Sequence, residues 1–544
     1  MAVSSSVVQV LPVRKLFYSN YQYNDIIMKM KFFSTLSSVV LMASALFLAS
    51  CSDDDNAGGT STRTSQILLR SNSLSEGAEY DAHTLKEVKL SFNNMVTINP
   101  NVDITLNGTK LTAVSGSTTT MDVVIALPTL QRGVNYTLDI PQGAFIGKVD
   151  NQAQAPALSV NFTTKAEPTP LSNETTALMQ KLGWGWNLGN HFETSGDAIS
   201  EGWGYWDGVE AISAELFNNI AAAGAKTVRI PVTWDVHMEA DGTIKADFLN
   251  EVAGAVDKAL AADLYVIINS HHDSYETNLG NAANNPEIAA ADQALIVSIW
   301  TQVATKFKDY GEKLIFETVN EVHAGDNWSV GTDGEFALLN QFNQAAVDAI
   351  RATGGNNATR WIGVAGYAAN ISLTANHFQL PNDPAKRLMV SAHFYDPSNF
   401  TLSPESEYGY TEWGHTAASG KSSGDNEEYY VEDALKTLQQ KYIANNIPVY
   451  IGEYGCVIQT SERSNLFRNY YLEYVCRTAY LCNLPVMMWD NNSIGGGNEK
   501  HGVFSHSDGS YINGQEQMVK TMIKAATSDD KSYTLESIYN NAPK

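Results

Sequence analysis

The chain has 544 residues, with 35 Lys and Arg against 59 Asp and Glu and a formal net charge of -24. This length suits a large domain with a smaller module, and the acidic balance argues against nucleic acid or an anionic membrane surface as partner, since either needs a basic face. A neutral polymer sets no such condition, and the 10 Trp and 25 Tyr offer flat faces for stacking.

Lys29 and Lys31 precede an apolar run, 32–48, that closes on Leu48-Ala49-Ser50-Cys51. A short basic region, an apolar stretch too short to span a bilayer comfortably and a small-residue cleavage site describe a secretory signal. Leu-Ala-Ser-Cys also resembles the lipobox of bacterial lipoproteins, which implies cleavage before Cys51 and its lipidation. Residues before Met28 fall outside that pattern, so translation is expected to start at Met28 or Met30. The acidic run Ser52-Asp53-Asp54-Asp55 resembles tags that send some lipoproteins to the outer face of the cell. The expectation is a surface-exposed, monomeric protein of the bacterial outer membrane, touching membrane only through the lipid on Cys51. The other cysteines, Cys456, Cys476 and Cys482, cannot all pair and lack the spacing of a zinc site, so they read as small buried hydrophobes.

Residues 1–51 are thus leader and signal, and 52–64, small, polar and aperiodic, a flexible tether. From 65 to 165 come short alternating runs at 88–92, 102–106, 136–140 and 158–162, separated by turns such as Asn107-Gly108. Half-buried strands at this spacing predict a small all-β sandwich. Gly133-Val134-Asn135-Tyr136-Thr137-Leu138-Asp139-Ile140-Pro141 resembles a late-strand pattern of bacterial Ig-like domains. No row of exposed aromatics is evident, so a spacer role is expected. A Pro-bearing linker, 166–172, follows.

Between 173 and 530, apolar runs at 183–188, 227–232, 265–269, 314–319, 360–365, 388–392, 448–452 and 485–489 alternate with amphipathic stretches, clearest at 209–223, 248–262, 289–310, 336–352 and 431–444. Such alternation means parallel strands joined by crossover helices. Eight units predict an α/β fold, a (β/α)8 TIM barrel, over an open sheet of about six strands. Residues 531–544 read as a C-terminal tail.

In a TIM barrel the chemistry sits at the C-terminal strand ends. Those ends carry Asn187 and Asn190, Arg229, His271 and His272, Asn320 and Glu321, His393 and Tyr395, Glu453, and Trp489. Two carboxylates delivered from separate strands suit a glycosidic bond, which needs one acid for the leaving oxygen and one carboxylate at the anomeric carbon. His271-His272-Asp273 raises metal ligation, but adjacent side chains on a strand point to opposite faces, so no metal and no cofactor is expected.

The motifs Gly185-Trp186-Asn187-Leu188-Gly189-Asn190, Val228-Arg229-Ile230-Pro231-Val232-Thr233-Trp234, His271-His272-Asp273, Phe316-Glu317-Thr318-Val319-Asn320-Glu321, His393-Phe394-Tyr395-Asp396-Pro397, Ile451-Gly452-Glu453-Tyr454-Gly455 and Trp489-Asp490-Asn491 resemble, in this order, glycoside hydrolase family 5, and subfamily 4 most. His191, where many relatives carry Thr, departs from the pattern, as does the loop 193–206. The resemblance implies a retaining endo-β-1,4-glucanase acting on cellulose-type β-glucan, xyloglucan or mixed-linkage glucan. It makes Glu321 the acid/base and Glu453 the nucleophile, with Asn190, Arg229, His271, His272, Asn320, His393, Tyr395 and Trp489 around the substrate. Arg229 and Tyr395 are expected to keep Glu453 ionised, and burial among negative charge to raise Glu321. A β-mannanase and an inactive surface glycan-binding lipoprotein are the rival readings. The loops 193–206 and 398–426 are the expected cleft walls.

Overall fold

The computed structural model describes residues 66–116, 120–194, 212–403, 410–424, 427–494, 500–512 and 514–544. Cys51, the leader and the tether lie outside these, as does most of the loop 193–206. Among the described residues no helix is long and apolar enough to cross a membrane.

Eight parallel strands close into a barrel. They are β1 (Trp184–Asn187), β2 (Thr227–Ile230), β3 (Tyr265–Asn269), β4 (Leu314–Glu317), β5 (Ile362–Asn370), β6 (Leu388–Phe394), β7 (Val449–Tyr454) and β8 (Val486–Met488). Each falls in or overlaps a predicted run. Nearly every strand residue is buried, because the barrel lumen takes one face and the helical ring the other. The expected helices appear as Ala214–Ala223, Ala246–Ala261, Pro286–Lys306, Asp333–Ala352 and Glu427–Lys441. Sequence reading passed over Glu462–Leu481, whose Phe467, Tyr471, Tyr474 and Val475 are buried beside Arg468 and Arg477. Cys456, Cys476 and Cys482 are free and buried.

The N-terminal region is all-β. One sheet runs Leu69–Asn72, Glu87–Phe92, Asp122–Ala126, Val114–Gly116, and a second, five-stranded, contains Leu158–Thr164 paired with Asn135–Ile140. Alternation works as read: Val88, Leu90 and Phe92 turn inward and Glu87 and Lys89 outward. Asn107 and Gly108, both at positive φ (47° and 75°), form the two-residue hairpin turn between Thr105–Leu106 and Thr109–Lys110. This region has its own hydrophobic core, separate from that of the barrel.

A polar interface joins the two. Arg132 makes a two-pronged ion pair with Glu432 on the helix Glu427–Lys441, and both side chains are buried. Tyr474 donates to the same carboxylate at 2.6 Å, and the guanidinium lies 5.1 Å over the ring of Tyr429. Tyr539 is stacked between His83 of the sandwich, at 3.9 Å, and His415 of the barrel, at 3.6 Å. Residues 531–544, expected as a tail, carry the helix Leu535–Asn540. Its Leu535 and Ile538 are buried, and the Glu167 carboxylate accepts the Leu535 and Glu536 N–H groups that a helix start leaves unpaired.

Candidate active site

The site is assembled around Arg229, the third residue of β2, which is fully buried in the barrel. Each of its five N–H groups has an acceptor. Nε and Nη2 reach Glu317, the last residue of β4, with Nη2 at 2.7 Å from Oε1. Nη1 donates to Asn187 Oδ1 at 3.0 Å and to Glu453 Oε1 at 2.7 Å, and Nη2 also to Asn320 Oδ1 at 2.8 Å. One planar cation thus fixes three strand ends at once, which a lysine could not do.

Glu453 comes from β7, and its second oxygen accepts the Tyr395 hydroxyl at 3.1 Å. Glu321, four residues beyond the end of β4, is half-buried, and its carboxylate lies 2.5 Å from Nδ1 of His393. The same Nδ1 is 3.7 Å from Glu453. One oxygen of Glu321, one of Glu453 and a ring nitrogen of His393 all fall within 4.8 Å of one another. A side chain at Gly452 would have its Cβ 3.0 Å from His393 Nε2, so glycine before Glu453 makes room for this imidazole.

The charges set the proton affinities. Burial pushes the Glu321 carboxyl up, and Glu453 and Glu276 add to that, against the opposing pull of His393. Burial alone would strip the proton from His393, but Glu453 and Glu321 outweigh it and raise the imidazole. Burial also disfavours the Glu317 anion, and Arg229 overcomes this to hold it below the usual carboxylate range.

Below the pair, Asn320 sits between Arg229 and Glu276, with its Nδ2 3.0 Å from Glu276 Oε1. Glu276 Oε2 is 2.6 Å from Nδ1 of His272. Desolvation pulls His272 down, but Glu276 prevails and pushes it up to about 9. His271 is buried, and burial takes its pKa well below the ordinary value. Its ring lies parallel to Trp489, at 6.0 Å and 5°.

With this geometry established, kinship can be read. Residues 189–495 match the family described as cellulase, glycosyl hydrolase family 5. The chain belongs to glycosyl hydrolase family 5. The family match starts just beyond β1 and runs past β8 to Gly495, so it takes in both carboxylates. Among relatives, endoglucanase A of Paenibacillus barcinonensis is 35% identical over 372 residues, covering 64% of this chain and 89% of that protein. A xyloglucan-specific endo-β-1,4-glucanase of Bacteroides ovatus is 35% identical over 336 residues, 59% of this chain and 64% of that one. The solved structure of a GH5-4 broad-specificity endoglucanase from Bacteroides salanitronis is 38% identical with a TM-score of 0.61, covering 66% of this chain and 97% of that one.

Within this family 5 site, most residues expected at the mouth do converge there, but not all. Asn187 is wholly buried, and its amide donates to the Gly452 carbonyl at 2.9 Å, so it ties β1 to β7. His271 and His272 do not diverge as strand neighbours would. The strand β3 ends at Asn269, and beyond it the two rings meet edge to face at 4.3 Å. Asp273 turns away from both to accept the Trp234 and Asp235 N–H groups at 2.8 Å each. Asn190 lies past β1 at φ 53°, with its N–H on the carboxylate of Glu193. His191, the departure from the family pattern, is buried against Phe192.

Glu317 lay within a family motif but was given no role, and Glu276 was not foreseen. Glu317 had one signal, a lone charge inside an apolar strand. Glu276 had a weaker one, its place four residues after His272.

Proposed function

We propose that the chain is a retaining, endo-acting hydrolase of β-1,4-glucosidic bonds in β-glucan, akin to subfamily 4, with xyloglucan and mixed-linkage glucan among its substrates. The observation that carries this reading is the closeness of the Glu321 and Glu453 carboxylates, with an oxygen of one within 4.8 Å of an oxygen of the other. Retaining enzymes hold their carboxyl groups about 5–5.5 Å apart, whereas inverting ones leave a gap of about 6.5–9.5 Å for water. The names of the Paenibacillus and Bacteroides relatives support the substrate class.

Glu453, held by Arg229 and Tyr395, attacks the anomeric carbon as the bond to the leaving oxygen breaks and Glu321 gives that oxygen its proton. The sugar is then an ester of Glu453. Water next loses a proton to Glu321 and attacks the same carbon, freeing Glu453 and restoring the acid. A raised Glu321 holds its proton to higher pH than an ordinary glutamate does, which suits the first step. Asn320 and His271 face the glycone hydroxyls, and Trp489 offers its ring to the sugar face. Both steps are carboxylate chemistry and call on no cofactor. On the strength of Leu48-Ala49-Ser50-Cys51, the reading includes a lipid anchor at Cys51 on the outer membrane.

Digestion of xyloglucan and of unbranched mixed-linkage glucan by the chain from Ser65 onward, with product masses read out, tests the substrate. Release of branched oligosaccharides is expected from the first. Glu453→Ala is expected to abolish turnover while glycan binding survives. Unchanged hydrolysis in that variant sinks the mechanism, and activity confined to mannans replaces the substrate.

A further inference from the structure

Glu276 is a buried carboxylate beside the cleft that neither gives a proton nor attacks carbon, and its one effect described so far is to help raise Glu321. We infer, resting on the hydrolase reading above, that Glu276 is a positioning residue that orients the side-chain amide of Asn320 toward the substrate's 2-hydroxyl.

The argument starts from the two ends of that amide. On one side Arg229 Nη2 donates to Oδ1 at 2.8 Å, and on the other Nδ2 donates to Glu276 Oε1 at 3.0 Å. A flipped amide would set its NH2 against a guanidinium and its oxygen against a carboxylate, so both contacts would turn repulsive. Arg229 already serves Glu317, Glu453 and Asn187. It therefore anchors Asn320 at the oxygen alone, and a second anchor at the NH2 group is needed to hold the amide plane against rotation. Glu276 supplies that alignment. It is itself held: Oε2 pairs with His272 Nδ1 at 2.6 Å, and its backbone carbonyl accepts the His323 N–H at 2.8 Å. Burial disfavours the anion, but His272 outweighs it and lowers the Glu276 pKa, so the acceptor stays ionised.

One N–H of Asn320 remains after Glu276 has taken the other. Nearest to Nδ2 is His271 Nε2, at 3.5 Å. Asn269 settles what that nitrogen is. Its Oδ1 accepts the Val232 N–H, so its Nδ2 faces His271 Nδ1 at 3.0 Å as a donor, and the proton of the neutral imidazole lies on Nε2. Two donors, from Asn320 and His271, therefore converge, and among the described residues no acceptor stands between them. A sugar hydroxyl oxygen fits that place, and a bond there that tightens in the transition state speeds the reaction.

The test compares wild type, Glu276→Ala, Glu276→Gln, Asn320→Ala and the Glu276→Ala/Asn320→Ala double variant on an aryl β-cellobioside and on its 2-deoxy counterpart, with melting temperatures as a folding control. Glu276→Ala is expected to lower kcat on the hydroxylated substrate by about 10- to 100-fold with little change in KM, the size of a lost oriented donor. On the 2-deoxy substrate the loss shrinks to a few-fold, roughly, because the oriented bond is absent there. The double variant should be no slower than Asn320→Ala. Glu276→Gln, which keeps a carbonyl acceptor for Asn320, should recover most of the rate. Equal losses on both substrates, or additive effects of the two alanines, overturn the assignment. If Glu276→Ala melts below assay temperature, Glu276→Met, similar in size but without an acceptor, carries the same comparison. Wild-type inactivity on both substrates overturns the hydrolase reading itself, whereas an active wild type slowed only by Asn320→Ala overturns the role of Glu276 alone.

Discussion

Nδ1 of His393 stands 2.5 Å from Glu321 and 3.7 Å from Glu453, so a single imidazole faces both carboxylates. Its positive charge pulls the Glu321 pKa down against burial and against the two neighbouring anions. Removing it should let Glu321 hold its proton to higher pH. For His393→Gln we expect a lower kcat and an alkaline limb of kcat/KM displaced upward, measured as initial rates on mixed-linkage glucan across pH. An alkaline limb that stays or moves down contradicts this account of the pair.

Glu317 and Arg229 are both fully buried and joined at 2.7 Å. Tyr450, Ser391 and Asn269 also donate to Glu317, at 2.6, 3.1 and 3.1 Å. Glu317→Gln leaves the guanidinium short of a countercharge in a dry site, and breaking such a pair costs about 3–5 kcal/mol. Denaturant melts should register that loss, together with a fall in kcat as Arg229 loses its fixed pose toward Glu453. A neutral result in both would mean that water or another anion compensates.

His272 gives a pH dependence of stability. Its side chain is half exposed, so solvent screens part of the pair, but Glu276 at 2.6 Å outweighs the desolvation of the ring and the folded-state value rises to about 9, above roughly 6.5 for a free imidazole. The folded protein therefore binds this proton more tightly. The stabilisation is fully present below about pH 6.5 and is lost as pH rises through about 9. Melting temperatures of wild type and His272→Asn should differ most at pH 6 and converge by about pH 10. A gap that widens with pH would reverse the sign.

Arg132 and Glu432 retain only 7% and 4% of their side-chain exposure. Arg132→Ala leaves Glu432 buried with Tyr474 as its remaining close donor, a change worth about 3–5 kcal/mol. Because sandwich and barrel have separate cores, calorimetry should show one transition in wild type and two in the variant. A single transition in both would place the coupling elsewhere, in the Tyr539 stack or the Glu167 cap.

The barrel was legible because each parallel strand must be apolar along its whole length, so its end is marked where Asn320, His393 or Glu453 breaks the run. Tyr395 followed from the same rule, whereas Arg229, read as a strand end, is the third residue of β2. What escaped notice was of another kind. Glu317 ends β4 but lies inside the apolar run 314–319 by which that strand was read, and only the lumen of a closed barrel gives it partners. Glu276 sits on an irregular loop, where no period fixes a direction. His271 and His272, which the resemblance put around the same substrate, do lie side by side, and the divergence that argued against a shared metal failed because strand alternation stops at Asn269. The helix Glu462–Leu481 is buried on several sides, so its apolar stripe is blurred by Arg468, Arg477 and several tyrosines that find partners only after folding.

The Arg132–Glu432 contact also bears on inheritance. Modules joined by an exposed linker can be shuffled between genes without repair. Here, parting the sandwich from the barrel would strand a buried glutamate and bare Tyr429 and Tyr539 to water. The two pieces are therefore expected to travel together through evolution. A relative that keeps this barrel without the sandwich should carry other residues at the positions of Glu432, Tyr429 and Tyr539.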